Sequence, residues 1–216
     1  MFFNIFKLML RTILRLLFRW RIQGKESIPG QGPLLVVANH VNLIDPVLLG
    51  AGFDRRLIFM AKKELFRFRL IGYFLNWLGA FSVHRGQVDR EALFQAENVL
   101  NEGQALFIFP EGRRSHNGRL QIGYPGSARI ALHNNVPVLP VGIIGTGKIK
   151  GVGWILKRPE ITLKIGQPFH LPTNGKVSRQ ELTESTNTIM EHIAELLPLE
   201  YRGYYARQKE LDNIES

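Results

Sequence analysis

The segment Pro33-Leu-Leu-Val-Val-Ala-Asn-His-Val-Asn-Leu-Ile-Asp-Pro46 carries the clearest structural signals in this 216-residue chain. It begins with a short apolar run rich in β-branched residues, from Leu34 to Ala38, and glycine and proline precede that run. Such a pattern predicts a fully buried strand. Asp45-Pro46 then predicts the start of a helix, because an Asp side chain accepts an orphan backbone N–H and Pro tolerates the first helical position.

His40 and Asp45 stand at the two ends of the loop predicted between this strand and this helix. A tight loop would turn their side chains toward each other. A carboxylate that holds one imidazole nitrogen fixes the tautomer of the ring and leaves the other nitrogen free as a base. The same spacing also fits an ordinary loop histidine beside a helix cap, so the pair alone leaves both interpretations open.

The rest of the chain alternates predicted strands with predicted helices. Strands are predicted at residues 57–61, 80–84, 105–109 and 161–165, and helices at 89–100, 126–133 and 178–197. The apolar stretch 136–142 is broken twice by proline, which predicts an edge or irregular strand. This alternation predicts a single α/β domain with a largely parallel central sheet flanked by helices.

Three of the predicted strands end in polar residues. The first ends in Asn39 and His40, another in His84 and Arg85, and a third leads into Glu111 to Ser115. Ligands of open α/β sheets collect beyond the carboxyl ends of the strands. A base, a carboxylate and guanidinium groups at one edge suit an anionic substrate with a hydroxyl group to deprotonate, because arginine binds phosphate bidentately.

The net charge of +10 is concentrated at the N-terminus, where residues 1–25 hold six cations and no acid. Lys7, Arg11, Arg15 and Arg19 recur every fourth residue among large apolar side chains. No uncharged run approaches the ~20 residues of a spanning helix. We therefore expect residues 1–24 to form an amphipathic helix at a membrane surface, with its cations on anionic head groups, before a catalytic domain at 25–216. The alternative is a core helix with solvated cations.

Several other function classes are disfavoured by the composition. The chain has no cysteine, which excludes disulfides, thiolate zinc sites and a cysteine nucleophile. Ser127 lies in Tyr-Pro-Gly-Ser-Ala rather than in a Gly-x-Ser-x-Gly elbow, and no cluster has metal-ligand spacing, so no metal is expected. The basic excess sits on a Leu- and Phe-rich segment without a recognised binding module, which argues against nucleic acid as a partner.

Four segments, in order along the chain, resemble the motifs of the lysophospholipid acyltransferase family. They are NHVNLIDP from Asn39, GAFSVHRG from Gly79, FPEGRRS from Phe109 and VPVLPVGI from Val136. The resemblance covers roughly residues 20–206 and implies a glycerol-3-phosphate acyltransferase-like fold. The chain departs from the family pattern at Arg113, where Thr is usual, and at Asn42, where many members have Ser.

The resemblance also implies a reaction. His40, oriented by Asp45, would take the proton from the free hydroxyl of lysophosphatidic acid, whose oxygen attacks the thioester of acyl-CoA or acyl-carrier protein. Phosphatidic acid forms without a covalent acyl-enzyme, without a cofactor and at the cytoplasmic face of a membrane, as a step of phospholipid biosynthesis. The substrate-binding residues that it implies are Asn39, Arg85, Glu111, Gly112, Arg114, Ser115 and Pro140. Another lysophospholipid acceptor remains an alternative, as does an acyl thioesterase or lipid hydrolase that uses water.

Overall fold

Seven strands and six α-helices build the part of the chain that the computed structural model describes, which comprises residues 2–69, 72–73, 75, 79–83, 89–172 and 177–206. The strands are β1 (Arg19–Gln23), β2 (Leu34–Ala38), β3 (Leu57–Lys62), β4 (Phe81–Val83), β5 (Ala105–Ile108), β6 (Val138–Ile144) and β7 (Glu160–Ile165). The helices are α1 (Phe2–Leu17), α2 (Asp45–Gly52), α3 (Arg90–Asn101), α4 (Gly126–Asn134), α5 (Trp154–Lys157) and α6 (Arg179–Leu196).

All seven strands belong to one sheet with the order β1-β7-β6-β2-β5-β3-β4. Every neighbouring pair is parallel except β6 and β7, which run antiparallel. The predicted α/β domain with a largely parallel sheet is therefore confirmed. Helix α6, predicted at 178–197, begins with a capping box formed by Ser178 and Glu181.

Strand β2 lies at the centre of the sheet and is buried on both faces. Leu34, Val36 and Ala38 pack into the layer that contains α1 and α2, whereas Leu35 and Val37 pack into the layer that contains α3, α4 and α6. All five side chains are inaccessible to solvent. Burial on both faces explains why the sequence of β2 is continuously apolar rather than alternating.

Residues 136–142 were predicted to form an edge or irregular strand, and strand β6 shows that they do not form an edge. It pairs with β2 on one side and with β7 on the other, so it lies inside the sheet. Pro140 is tolerated there because its backbone nitrogen faces the same neighbour as its carbonyl, which accepts a hydrogen bond of 2.9 Å from Gly166. Gly166 follows the last residue of β7. The N–H that Pro140 lacks is therefore missing at the end of the hydrogen-bond ladder between β6 and β7.

The N-terminal segment also differs from the prediction of one helix over residues 1–24. Helix α1 ends at Leu17, and Arg19–Gln23 forms the edge strand β1, which pairs with β7. Trp20 and Ile22 are half-buried in this strand, while Arg19 and Arg21 are exposed. In the sequence, Arg19 continues the four-residue spacing of the helical cations, which concealed the change from helix to strand.

Two cations of the basic row on α1 face the protein rather than the outside. Arg11 donates to the carbonyls of Ala51 (2.6 Å) and Phe53 (3.3 Å) and forms an ion pair of 2.8 Å with Asp54. Lys7 is buried and donates to the carbonyl of Asp54 at 3.2 Å. Burial, reinforced by the neighbouring Arg11, lowers the pKa of Lys7 to about 8. These contacts satisfy the carbonyls at and beyond the C-terminal end of α2, where a helix dipole favours positive charge.

The outer face of α1 is instead mainly apolar, although Thr12 and Arg15 are also exposed. The exposed large apolar side chains share one face of the helix, because each lies three or four residues from another of them. They are Ile5, Leu8, Met9, Ile13 and Leu16, with exposed fractions between 42% and 67%. Within the described ranges, none of the helices has both the length and the hydrophobicity needed to cross a membrane.

Replacing Arg11 with methionine tests how α1 is fixed to the domain. We expect Arg11→Met to lower the free energy of unfolding by about 1–3 kcal/mol, because it leaves carbonyls beside α2 without their donor. Urea unfolding in detergent measures this change. The matched control is Arg19→Met, which removes an exposed guanidinium on β1. Equal unfolding midpoints for the two variants would contradict the assigned role of Arg11.

Candidate active site

The candidate site lies where the parallel strands β2 and β5 end at the same edge of the sheet. Asn39 and His40 directly follow β2, and Phe109 to Glu111 directly follow β5. The sheet therefore brings together two of the three polar strand ends predicted from the sequence. The third, at His84 and Arg85, lies outside the described residues.

His40 and Asp45 form the predicted pair. Nδ1 of His40 lies 2.9 Å from Oδ2 of Asp45, and both side chains are buried. Because an ionised carboxylate can only accept, we assign the proton to Nδ1, which leaves the lone pair of the ring on Nε2. When the imidazole is neutral, this contact thus favours the tautomer that a general base requires.

The same oxygen of Asp45 organises the loop around His40. Oδ2 also accepts the backbone N–H groups of Val41 and Asn42, each at 2.7 Å. Asp45 was expected to cap α2, but the N-cap is Ile44, and the carboxylate is turned back toward the preceding loop. Its negative charge still lies in the first turn of α2, where the helix dipole stabilises it.

A second loop fixes the backbone and the ring of His40. The backbone N–H of His40 donates to Oε1 of Glu111 at 2.7 Å, and the carbonyl of His40 accepts from the N–H of Ser115 at 2.7 Å. The imidazole stacks on Phe109, with ring centroids 3.8 Å apart and planes 9° from parallel. The backbone and the ring of His40 are therefore fixed by Glu111, Ser115 and Phe109.

Glu111 is buried, with 1% of its surface exposed, and both of its carboxylate oxygens accept hydrogen bonds. Oε1 accepts from His40, and Oε2 accepts from the backbone N–H of Gln121 at 2.9 Å and from its side chain at 3.4 Å. Burial raises the pKa of Glu111 to about 7, although these hydrogen bonds act in the opposite direction. The contacts favour a positioning role for Glu111 over the expected contact with substrate.

Three other predicted substrate-binding residues make structural contacts. The side-chain amide of Asn39 bonds reciprocally to the backbone N–H (2.7 Å) and carbonyl (2.9 Å) of Ile143. The hydroxyl of Ser115 donates to the carbonyl of Arg119 at 2.7 Å. Pro140 is buried within β6, paired with a residue of β2 that precedes His40. These contacts favour support of the loops by Asn39 and Ser115 and of the sheet by Pro140.

Of the predicted substrate-binding residues that the structure describes, Gly112 and Arg114 remain candidates for contact with a ligand. Gly112 has φ +63°, and a Cβ there would lie 3.1 Å from the ring of Tyr124, so the turn after Glu111 favours glycine. Arg114 is exposed on this loop, whereas Arg113, also exposed, donates to the side chain of Gln121 at 3.0 Å. Arg85, the remaining predicted ligand, falls in the segment 84–88, outside the described residues.

Sequence reasoning missed two contributors to the site. Phe109 belongs to a motif that was recognised, but its stacking on His40 depends on how two strand ends approach each other. Gln121 lies ten residues beyond Glu111 in a stretch without any local signal. Only the fold shows that it completes the hydrogen bonds of the buried carboxylate.

The C-terminal segment 199–206 braces the loop that carries Glu111. The N–H of Leu120 donates to the carbonyl of Tyr201 at 2.8 Å, and the N–H of Gly123 donates to the hydroxyl of Tyr205 at 3.3 Å. Tyr205 is buried, and this burial raises the pKa of its hydroxyl. The loop is thus anchored at one end by His40 and at the other end by the C-terminal segment.

A buried, carboxylate-held histidine at the carboxyl ends of the strands of an α/β sheet is typical of enzymes that activate a hydroxyl group or a water molecule. Within the described residues, no group of three or more His, Cys, Asp or Glu side chains could hold a metal ion. Comparison with known proteins narrows this class. The chain belongs to the Acyltransferase family, whose sequence model matches residues 19–144. The resemblance found in the sequence is confirmed, and the chain is an acyltransferase.

Individual relatives agree with this assignment. A 1-acyl-sn-glycerol-3-phosphate acyltransferase of Bacillus subtilis is 30% identical over 190 residues, covering 87% of this chain and 92% of the relative. A chloroplastic enzyme of the same name from Brassica napus is 31% identical over 80% of this chain, which spans 52% of that longer protein. The crystal structure of a 1-acyl-sn-glycerophosphate acyltransferase from Thermotoga maritima has a TM-score of 0.65 and 29% identity, covering 87% of this chain and 78% of that chain.

The raised pKa of Glu111 predicts that the unfolding free energy depends on pH. Because this pKa is raised from 4.5 to about 7 in the folded chain, the folded state holds a proton that the unfolded state releases between these pH values. The stability contributed by Glu111 is therefore complete below pH 4.5 and is lost as the pH rises through about 7. We expect the unfolding free energy of the wild type to fall over this interval relative to that of Glu111→Gln.

Urea unfolding at several pH values measures this difference, and Glu200→Gln, which alters an exposed carboxylate, is the matched control. A difference between wild type and Glu111→Gln that is constant over the interval would contradict the raised pKa.

Proposed function

We propose that this chain transfers an acyl group from acyl-CoA or acyl-carrier protein to the free hydroxyl of lysophosphatidic acid, which yields phosphatidic acid. Membership of the Acyltransferase family and the names of the relatives support this substrate class. The observation that carries the proposal is the 2.9 Å contact between Nδ1 of His40 and Asp45, since it leaves Nε2 available to accept a proton.

In the proposed reaction, Nε2 of His40 takes the proton of the acceptor hydroxyl while the oxygen attacks the carbonyl carbon of the thioester. The C–S bond then breaks, and the thiolate leaves with the proton that His40 received. Asp45 stabilises the imidazolium that forms between these two steps, because its carboxylate already bonds to Nδ1. No acyl-enzyme forms, so the hydroxyl oxygen and the thioester carbon must be held side by side.

For the phosphate of the acceptor we propose Arg114, together with Arg85 and the backbone turn at Gly112. Arg114 is exposed on the loop whose neighbouring residues hold His40, so its guanidinium lies within reach of a ligand at this edge of the sheet. Arginine suits this task because its planar fork matches the geometry of a phosphate.

Substitutions of His40 and Asp45 test the base. We expect His40→Ala to lower the rate of thiol release by ~10²–10⁴-fold. Asp45→Asn keeps an oxygen for the three donors at Oδ2 but removes the charge that stabilises the imidazolium, so kcat should fall while KM changes little. His170→Ala, an exposed histidine, is the matched control.

The assay follows thiol release from a series of saturated acyl-CoAs in detergent, with and without lysophosphatidic acid. Release that requires the acceptor and disappears in His40→Ala supports the transferase. Release without any acceptor would instead favour a thioesterase. Release only with another lysophospholipid would overturn the assignment of the acceptor, and wild-type rates in His40→Ala would exclude His40 as the base.

We also propose that α1 holds the enzyme on the cytoplasmic face of a membrane, where acyl thioesters and lysolipids meet. Its apolar outer face supports this role, since each large apolar side chain moved from water into an apolar environment contributes about 1.5–3 kcal/mol. Because Lys7 and Arg11 face inward, the contact through α1 rests on apolar burial more than on its cations.

Vesicle flotation tests this orientation. We expect Leu8→Glu combined with Leu16→Glu to reduce binding of the protein to phosphatidylcholine–phosphatidylglycerol vesicles, because both side chains lie on the exposed apolar face. The matched control is Phe94→Glu, which changes an exposed aromatic side chain on α3, in the layer on the opposite face of the sheet. If both variants float as the wild type does, α1 is not the anchor.

A further inference from the structure

A second exposed apolar surface lies beyond β6, in residues 148–158, named here the apolar loop. Val152 and Leu156 are 85% and 92% exposed, and Ile155 is about half exposed. Single exposed apolar side chains are ordinary on a protein surface, but three such residues within five positions form a patch.

The charge of the apolar loop is exclusively positive. Lys148, Lys150, Lys157 and Arg158 are exposed, and no acidic residue occurs between Gly145 and Pro159. Cations that border apolar side chains complement a surface that is anionic outside and apolar beneath, which is the arrangement of a bilayer containing acidic lipids.

The apolar loop is continuous with the outer surface of α1. Trp154 stacks on Phe18, one residue beyond α1, with ring centroids 5.1 Å apart. The guanidinium of Arg158 donates to the carbonyl of Arg15 at 2.9 Å, next to the exposed Leu16. The two apolar surfaces therefore adjoin each other on one side of the molecule.

The same part of the chain is bonded to the loop that carries the base. The side-chain amide of Asn42 donates to the carbonyls of Thr146 (3.2 Å) and Ile149 (3.4 Å), and the backbone N–H of Asn42 donates to Asp45. Asn42 is one of the two departures from the family pattern. Asn42 has a longer side chain than the serine of many members, and it ends in an amide. Its two contacts connect the start of the apolar loop to the loop that contains His40.

We propose that the apolar loop is a second membrane-docking element, which inserts Val152, Ile155 and Leu156 into an anionic bilayer while its four cations bind lipid head groups. This inference rests on the proposed docking of α1 and assigns the electrostatic part of that docking to a different segment. Docking through both elements brings the His40 loop to the bilayer surface, where a lysophospholipid presents its hydroxyl group.

The experiment measures flotation of the full-length enzyme with vesicles of phosphatidylcholine alone and with added phosphatidylglycerol. Val152→Ser combined with Leu156→Ser removes the apolar contribution, and Lys150→Gln combined with Lys157→Gln removes half of the charge. We expect each double variant to weaken binding to the anionic vesicles about tenfold or more. The charge variant should lose little on phosphatidylcholine alone.

Matched controls come from the opposite face of the sheet. They are Phe94→Ser for the apolar variant and Arg129→Gln for the charge variant, both at exposed positions. Thiol release in detergent micelles should stay at the wild-type rate in all variants, because none of these side chains belongs to the site. Inactivity of the wild type in micelles would refute the proposed function, whereas the flotation result would still decide the role of the apolar loop.

Flotation of both loop variants equal to that of the wild type would overturn the inference. Sedimentation velocity in lipid-free detergent tests the other occupant of this face, a second copy of the chain. A wild-type dimer that dissociates in Val152→Ser with Leu156→Ser, with unchanged flotation, would identify the face as a subunit interface and would also overturn the inference.

Discussion

Oδ2 of Asp45 accepts three hydrogen bonds from the five residues that precede it, from the ring of His40 and the backbone N–H groups of Val41 and Asn42. A buried carboxylate costs several kcal/mol unless donors replace its lost hydration. Here the donors to Oδ2 belong to the loop that the carboxylate organises, so the same hydrogen bonds stabilise the charge on Oδ2 and orient the imidazole. Oδ1 is buried without a hydrogen-bond partner in the described part of the chain. Four residues lie between His40 and Asp45, and this spacing allows the carboxylate of Asp45, at the start of α2, to reach back to the loop.

Long-range contacts then fix this local unit in the fold. Glu111 and Ser115 bond to the N–H and the carbonyl of His40, so the loop after β5 clamps the residue that follows β2. The charge of Asp45 is also among the causes that raise the pKa of Glu111, although burial is the largest. Two buried carboxylates can share this site because each binds different backbone N–H groups. Glu111 therefore fixes the backbone of His40, and Asp45 fixes its ring.

Features that depend on a single element could be predicted from the sequence. The continuous apolar run of β2, the alternation of β7 and the capping box of α6 all follow from local periodicity or from a local hydrogen-bond pattern. The positions of β1 and β6 in the sheet could not be predicted, because the pairing of a strand with distant strands decides whether it lies at the centre or at the edge. The orientation of Lys7 was likewise hidden, since a helical row of cations fits bulk water, lipid head groups and the carbonyls at the end of α2 equally well.

The site shows the same limit at the level of side chains. Motif spacing correctly brought Asn39, Glu111 and Ser115 to one edge of the sheet, but spacing does not distinguish a side chain that contacts a ligand from one that holds a loop. The distinction lies in which atoms are already bonded. Both polar ends of the Asn39 amide and both oxygens of Glu111 have backbone partners, whereas Arg114 is exposed to the space where a ligand would enter.

Helix α2 connects this site to the outer surface of the enzyme. Its first residue is Asp45, and Arg11 of α1 bonds to the carbonyls at and just beyond its last turn, about 12 Å away along eight residues. On the other side of the same loop, Asn42 bonds to the segment that precedes the apolar loop. Both exposed apolar surfaces are thus attached, through short rigid connections, to the residues that orient His40. In the proposed docking, a lipid surface that binds these side chains would set the distance and angle at which His40, the proposed base, meets a hydroxyl group at the bilayer. The exposed apolar side chains of both surfaces therefore fit the proposed catalysis on a substrate that stays in the membrane.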